Sequence, residues 1–300
     1  MRPPAGAAAP AAAIPAAAIP PPAAATRSET APATARAGAP VLALTINGAI
    51  GPATAEYVER GLQEAVAAGA QLVVLRMDTP GGLDLAMRRI IKAILASPMP
   101  VASYVWPSGA RAASAGTYIL YASHVAAMAA GTNLGAATPV QLGAPGGAEP
   151  RKPGGGARPG KSGGEPESAA TPMERKQVND ASAYIRGLAQ MRGRNAEWAE
   201  RAVRDAVSLA AAEALKQHVV DYVAADLPDL LRQLNGQQLT AAGASATLAT
   251  EGAAVVDYPQ DWRIRFLSVI TDPSVAMILM MIGIYGLMFE FLSPGMVAPA

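Results

Sequence analysis

The strongest constraint on the fold is an alternation of short apolar runs with segments of helical spacing. The first run, Val41 to Ile46, has the length and composition of a buried strand. Apolar residues at helical spacing follow between Pro52 and Ala68, with Gly69 at the expected helix end. The pattern repeats as a strand, a helix and a strand: Leu72–Met77, Leu83–Ala96 and Pro100–Val105. This alternation predicts right-handed βαβ units and a parallel sheet.

The rest of the domain is predicted to add helices and two strands. In chain order these are a small-residue helix, a fourth strand, three helices, a closing strand and a last short helix: Ala110–Tyr121, His124–Ala129, Met173–Arg192, Asn195–Val207, Ala210–Gln217, Val219–Val223 and Leu227–Leu234. The fold class predicted from the sequence is therefore α/β, with helices flanking a parallel sheet.

Composition divides the 300-residue chain into four parts. Residues 1–39 are rich in Ala and Pro, and we expect a disordered tail or a degenerate signal region. Residues 40–236 form the predicted domain, in which the Gly/Pro-rich stretch 141–171 is expected to be a mobile loop. Residues 237–272 are expected to be a linker with β structure. Residues 273–293 are apolar and just long enough for a transmembrane helix, although a buried core helix has the same pattern, and we expect the chain to be truncated after them.

Composition also excludes several classes of function. The chain has no cysteine, which excludes thiol catalysis, disulfides and cysteine zinc sites. Its net charge is +1 without a long basic run in the structured part, so nucleic acid is not an expected partner. Only two histidines are present, His124 and His218, and a histidine-dependent triad or metal site would have to use them.

Two strand-to-helix junctions carry the candidate chemistry. Asp78 to Gly82 follows the second strand, and adjacent glycines there leave backbone N–H groups free to hold an oxyanion, although Gly-Gly also occurs in plain βα turns. Ser114 lies among Ala and Gly residues that would let a substrate carbonyl approach its hydroxyl. A serine in such a setting is also common in helix packing, and periodicity alone does not distinguish Ser114 from Ser103, Ser108 or Ser123.

A nucleophilic serine needs a base, and the histidines are poorly placed to supply it. His124 lies ten residues after Ser114 in sequence, and His218 ends a surface-type helix, so both are expected to be structural. A lysine can act instead when desolvation lowers its pKa. Lys176 heads the helix after the loop and could fold onto Ser114, although a solvated first-turn lysine fits the same pattern. The other lysines lie in the loop (Lys152, Lys161) or on solvated helix faces (Lys92, Lys216).

Three motifs together resemble the NfeD membrane proteases, relatives of Clp protease and signal peptide peptidase A. They are Asp78–Gly82, Pro107–Tyr118 and Met128–Ala137, and the resemblance continues through Tyr184–Gln190 and Gly193–Ala196 to the apolar segment Pro273–Gly295. It implies a Clp/crotonase-like fold and a Ser-Lys dyad formed by Ser114 and Lys176. It further implies an oxyanion hole at Gly81, Gly82 and Ala115.

The resemblance also implies a function and a location. Such proteins are ATP-independent serine endopeptidases that cut hydrophobic segments, including those of stomatin-like membrane proteins, and they work as dimers or higher homo-oligomers without a cofactor or metal. We therefore expect a membrane-anchored protease domain on the extracytoplasmic (periplasmic) side of the cell membrane. Arg263 and Arg265 precede the apolar segment and weakly favour the opposite orientation.

Two other interpretations of the same residues remain open. A crotonase-like acyl-CoA enzyme would share the fold and the oxyanion turn but would need neither the serine motif nor the membrane segment. A non-catalytic membrane scaffold of the same fold, which organises stomatin-like partners, fits the sequence as well. Cleavage of an apolar peptide distinguishes the protease from the scaffold.

Overall fold

The computed structural model describes residues 33–34, 38–140, 171–260, 262, 266 and 273–292. The predicted tail at 1–39 and the predicted loop at 141–171 lie almost entirely outside these residues. The strands in the described part are β1 (Ala33–Thr34), β2 (Val41–Asn47), β3 (Leu72–Asp78), β4 (Val101–Val105), β5 (Arg111–Ala113), β6 (Val125–Met128), β7 (Asn133–Gly135), β8 (Ser208–Ala210), β9 (Tyr222–Val223), β10 (Gln238–Ala241), β11 (Ala244–Thr247) and β12 (Val255–Asp257). The helices there are α1 (Pro52–Ala67), α2 (Asp84–Ala96), α3 (Ala115–Ala122), α4 (Pro172–Met191), α5 (Ala196–Arg204), α6 (Ala211–Lys216), α7 (Leu227–Leu234) and α8 (Pro273–Leu292).

A six-stranded sheet in the order β12-β2-β3-β4-β6-β9 forms the centre of the fold. All of its neighbouring strands are parallel, which confirms the predicted parallel α/β architecture. Helices α1 and α2 are the crossovers between β2, β3 and β4. Because the strands run in one direction, their carboxyl ends meet at a single edge of the sheet, where sites of such folds are found.

Hydrophobic layers cover both faces of this sheet. Successive residues of a strand point to opposite faces, so Leu42 and Val73 belong to one layer while Val41 and Leu72 belong to the other. The first layer includes buried residues of α1 to α5, and the second includes those of α7. Burial on both faces explains why β2 and β3 read as continuous apolar runs. Two small sheets, β5-β7-β8 and β1-β11-β10, complete the strand pairing.

The predicted helix over Ala110–Tyr121 is wrong in its first part. Residues Arg111–Ala113 form strand β5, and helix α3 starts only at Ala115. The cause is tertiary pairing, because β5 is parallel to β7 and Ala112 bridges Thr79 at the end of β3. This correction matters for function, since Ser114 lies in a strand-to-helix turn and not inside a helix.

Helix α8 forms in the segment for which we predicted a transmembrane helix, and its large apolar side chains are exposed. Within the described ranges, however, no helix combines the length and the apolar character that crossing a bilayer requires. The membrane-spanning role of 273–293 therefore stays a prediction.

Candidate active site

Strand pairing brings the two predicted junctions into contact. At the end of β3, Thr79 accepts a hydrogen bond from the N–H of Ala113 (3.0 Å) and donates its own N–H to Arg111 (2.7 Å). These bonds continue the hydrogen bonding of the sheet from β3 to β5. They bring Ser114 next to the diglycine turn. The sequence predicted both turns, and the structure places them side by side.

Ser114 has an unusual backbone conformation, with φ 51° and ψ −116°. Positive φ is uncommon for a residue with a side chain, and it persists only where the surroundings fix it. Here the N–H of Ser114 donates to Gly135 (3.0 Å), and its carbonyl accepts from the N–H of Thr117 (2.9 Å). The hydroxyl of Thr117 also donates to Ala112 (2.8 Å), on the other side of the serine. Ser114 is therefore held rigidly at the start of α3.

The diglycine turn fits against Ser114 only because it has no side chains. A Cβ on Gly81 would lie 2.6 Å from the Cβ and 3.1 Å from the Oγ of Ser114, and the φ of Gly81 is +114°. A Cβ on Gly82 would lie 2.1 Å from the carbonyl oxygen of Ile50. Both glycines are thus required by close approach, and Gly81 touches the serine side chain directly.

The three predicted oxyanion donors differ in their hydrogen bonding. The N–H of Gly81 donates to the hydroxyl of Thr79 (3.1 Å) and is already occupied. The N–H groups of Gly82 and Ala115 donate to no protein acceptor in the part of the chain that the structure describes. Ala115 opens helix α3, where N–H groups lack partners within the helix and attract negative charge. Two free amides therefore lie on either side of Ser114.

These groups share a small cleft of about 110 Å³. Its walls come from α2, from the start of α3, from the chain after β7 and from α4: Gly82, Asp84, Met87, Arg88, Ser114, Ala115, Tyr118, Ala137, Pro139, Val140 and Ala181. Tyr118 donates its hydroxyl to Ala137 (3.2 Å), and burial raises the pKa of this phenol, so it stays protonated at neutral pH. The cleft combines a hydroxyl, free amides and apolar walls.

Lys176 lies in the early turns of α4 and is exposed. It is not among the residues that line the cleft, whereas Ala181 of the same helix is. Helix α4 thus contributes Ala181 to the cleft wall, and Lys176 is not one of the residues that form this wall. The catalytic roles of Ser114, Lys176 and the three amides stay predictions.

The histidines lie elsewhere. The Nδ1 atom of His124 accepts the N–H of Val101 (3.2 Å), and burial, with help from Arg192 and Arg194, lowers its pKa to about 4. A neutral imidazole with its acceptor occupied is a structural group, in agreement with the sequence-based expectation. His218 follows α6 with φ 55° and is exposed. Among the described residues no cluster of three or more His, Cys, Asp or Glu side chains could hold a metal.

A charged cluster at the rim of the cleft was not predicted. Arg88 donates to Asp84 (2.9 and 3.1 Å) and to Asp180 (2.7 Å), and its guanidinium lies 4.4 Å from the ring centre of Tyr184. The spacing of Asp84 and Arg88 by four residues could have indicated an ion pair on one helix. No local signal indicates Asp180, which lies 92 residues after Arg88.

Comparisons with known proteins agree with this architecture. A family model described as the N-terminal domain of NfeD1b matches residues 40–152. The chain is 36% identical over 256 residues to the membrane-bound protease PH1510 of Pyrococcus horikoshii, which is 85% of this chain and 53% of that protein. It is 42% identical over 84 residues to membrane protein NfeD1b of Bacillus subtilis, which is 28% of this chain and 18% of that protein. The chain thus spans about half the length of the first of these relatives and less of the second.

Solved structures extend the similarity to the whole α/β domain. One is the 1510-N membrane-bound stomatin-specific protease with a lysine replaced by alanine, in complex with a substrate peptide. It has a TM-score of 0.67 and 34% identity, and the match covers 79% of this chain and 99% of that one. The same protease with a serine replaced by alanine has a TM-score of 0.62 and 34% identity, with coverage of 75% and 100%.

Proposed function

Because the chain belongs to the NfeD family of membrane-bound proteases, we propose that it is a membrane-anchored serine endopeptidase that cleaves peptide bonds in hydrophobic segments. The observation that carries the proposal is the contact between Ser114, fixed at φ 51°, and the diglycine turn. A serine hydroxyl between free backbone amides is the arrangement that acyl transfer needs.

The proposed reaction uses a Ser-Lys dyad. The Oγ atom of Ser114 attacks the peptide carbonyl while its proton passes to the neutral amine of Lys176. The N–H groups of Gly82 and Ala115 stabilise the oxyanion, and that of Gly81 can join them if it leaves Thr79. The C–N bond then breaks as the Lys176 ammonium protonates the leaving amine. Water hydrolyses the acyl-serine with Lys176 again accepting and returning the proton.

The surroundings of the cleft favour an apolar substrate. Val140 lines the cleft and is 81% exposed, and Leu85, beside Asp84 at the start of α2, is 79% exposed. Isolated exposed apolar residues are common, but Val140 is part of the cleft and Leu85 is next in sequence to a residue that lines it. The similar solved structures are named stomatin-specific, so we propose the hydrophobic segment of a stomatin-like membrane protein as substrate.

We further propose that residues 273–293 anchor the protein in the cell membrane, with the protease domain extracytoplasmic and assembled as a homodimer or higher homo-oligomer. The support is the membrane-bound description of the relatives and the exposed apolar surface of α8. Proteolysis by this route needs no cofactor.

One observation favours a second candidate, a non-catalytic scaffold of the same fold that organises stomatin-like partners. Lys176 is exposed and does not line the cleft, so the base is absent from the site in this conformation. The scaffold and the protease differ in one measurable property, which is peptide cleavage.

The test uses the full chain in detergent and a fluorogenic peptide with an apolar segment. The wild type should cleave it, and Ser114→Ala and Lys176→Ala should each lower kcat by at least about 1,000-fold. Ser108→Ala and Lys216→Ala, which change an exposed serine and an exposed lysine outside the cleft, should retain full activity. No cleavage by the wild type would favour the scaffold, and full activity of Lys176→Ala would remove the dyad.

A further inference from the structure

Arg88, a charged side chain of the cleft wall, contacts helix α4, which carries Lys176. Arg88 of α2 donates to both carboxylate oxygens of Asp84 on its own helix and, through Nη2, to Asp180 of α4 (2.7 Å). Its guanidinium also lies over the ring of Tyr184, one turn further along α4. Arg88 therefore holds α4 at two points.

Asp180 lies four residues after Lys176, which is about one helical turn or 6 Å along the axis. Residues with this spacing lie on the same face of a helix. Arg88 and Asp84 line the same cleft as Ser114. Lys176 and Asp180 therefore share a face of α4, and the ion pair of Asp180 with Arg88 joins that face to the cleft wall.

The first residues of α4 lie at the protein surface. Residues 171–176 are all exposed, and Val178 is the first apolar residue of the helix that packs against the core. Asn179 accepts a hydrogen bond from Arg204 and Arg186 pairs with Glu200, but these contacts join α4 to α5. The bond from Arg88 to Asp180 joins this part of α4 to α2.

We propose that Arg88 is a positioning residue, which through Asp180 orients helix α4 so that Lys176 can reach Ser114. This inference rests on the proposed function. Arg88 itself needs no contact with the reacting atoms. Exposed ion pairs contribute little to global stability, whereas a displacement of about 1 Å in a reacting group can lower a rate about 100-fold. The two effects can therefore be separated experimentally.

The test compares Arg88→Ala, Asp180→Asn and Arg88→Lys with Arg89→Ala. Arg89 is the next residue of α2 and pairs with Glu59 of α1, so its variant breaks a similar exposed ion pair away from the cleft. With the apolar fluorogenic peptide, Arg88→Ala and Asp180→Asn should lower kcat about 10- to 100-fold with KM within about twofold. Arg88→Lys should recover part of the rate, and Arg89→Ala should match the wild type.

Hydrogen exchange gives a readout that is independent of catalysis. Arg88→Ala should increase deuterium uptake in residues 172–180, and Arg89→Ala should not. Unchanged kcat in Arg88→Ala, or a rise in KM alone, would overturn the positioning role. The proposed protease activity would still be tested separately by Ser114→Ala. If the wild type cleaves nothing, the proposed function fails, and unchanged uptake in Arg88→Ala would then overturn the attachment of α4 as well.

Discussion

The turn at Ser114 and the beginning of helix α4 carry the two halves of the proposed dyad, and the fold holds them very differently. Ser114 is fixed by its own backbone hydrogen bond to Gly135, by that of Ala113 to Thr79 and by contact with Gly81. Lys176 lies in an exposed helical turn, and one turn further on Asp180 pairs with Arg88 of the cleft wall. The comparison indicates that the proposed nucleophile and oxyanion donors form with the core, whereas the proposed base lies at an exposed helix end.

The largest effect should come from filling the contact between Gly81 and Ser114. Gly81→Ala places a side chain at φ +114° and against the serine, and we expect a loss of about 3 kcal/mol in the free energy of unfolding. The kcat for the apolar peptide should fall at least about 100-fold, because the serine must move. Denaturant unfolding and cleavage kinetics measure both.

Gly109→Ala is the matched control for this variant. Gly109 has φ +89°, but a Cβ there would meet nothing within 4 Å. Gly109→Ala should lower the free energy of unfolding by only about 1 kcal/mol and keep most of the peptidase activity. Equal losses in the two variants would mean that backbone strain, and not contact with Ser114, makes glycine necessary at position 81.

A smaller effect should appear with pH at the far end of α3, in the rigid half of the molecule. The pKa of His124 is lowered to about 4 by burial and by Arg192 and Arg194, whereas an unfolded histidine has a pKa of about 6.5. The unfolded chain therefore binds more protons between these values, and stability is lost as the pH falls through this window. We expect the free energy of unfolding to fall by about 2 kcal/mol between pH 7 and pH 4, allowing for the partial exposure of the ring.

The measurement is the free energy of unfolding between pH 7 and pH 4 for the wild type and His124→Gln. The difference between the two slopes isolates the histidine from the carboxylates, which titrate in both proteins. Parallel curves would contradict the assignment of a buried neutral imidazole.

The smallest effect should come from the start of α4. Thr171 caps this helix by accepting the N–H of Glu174 (3.2 Å), and Glu174 in return accepts the N–H of Thr171 (2.7 Å). Thr171→Ala should cost about 1 kcal/mol locally. Deuterium uptake in residues 172–178 should rise and kcat should fall only a few-fold, while the Tm stays unchanged.

Thr240→Ala provides the control, because its hydroxyl bonds to Ser245 in an exposed hairpin of β10 and β11. It should leave exchange in α4 unchanged. A fall in Tm for Thr171→Ala as large as that for Gly81→Ala would remove the contrast between the two regions.

Much of the fold could be predicted from the sequence, since strands β2, β3 and β4 consist mainly of apolar residues. The segment Arg111–Ala113 could not, because this short Arg-Ala-Ala run has no clear periodicity and its strand state depends on pairing with Thr79 and β7. For residues 237–272 the sequence predicted β structure but not the position of strand β12. Its three residues pair with Val41–Ala43 more than 200 positions earlier, as the register of Val255 with Val41 requires.

The sequence indicated more about the turn at Ser114 than about the beginning of helix α4, the other half of the candidate site. The residues alone indicated a glycine turn and a serine at neighbouring strand ends, and the resemblance to NfeD proteases selected Ser114 and Lys176. The N–H of Gly81 donates to the hydroxyl of Thr79. This hydrogen bond could not be predicted, because it depends on a side-chain rotamer. The link from Arg88 to Asp180 joins distant parts of the chain, which sequence spacing does not describe.

The most direct test of the account is the rate at which a fluorophosphonate labels the protein, followed by mass spectrometry. A serine activated by Lys176 should take one adduct, located at Ser114, and Lys176→Ala should slow this labelling at least about 100-fold. Ser114→Ala should take none. An adduct at another serine, or equal labelling of Ser114 with and without the Lys176 amine, would contradict the claim that these two side chains act together.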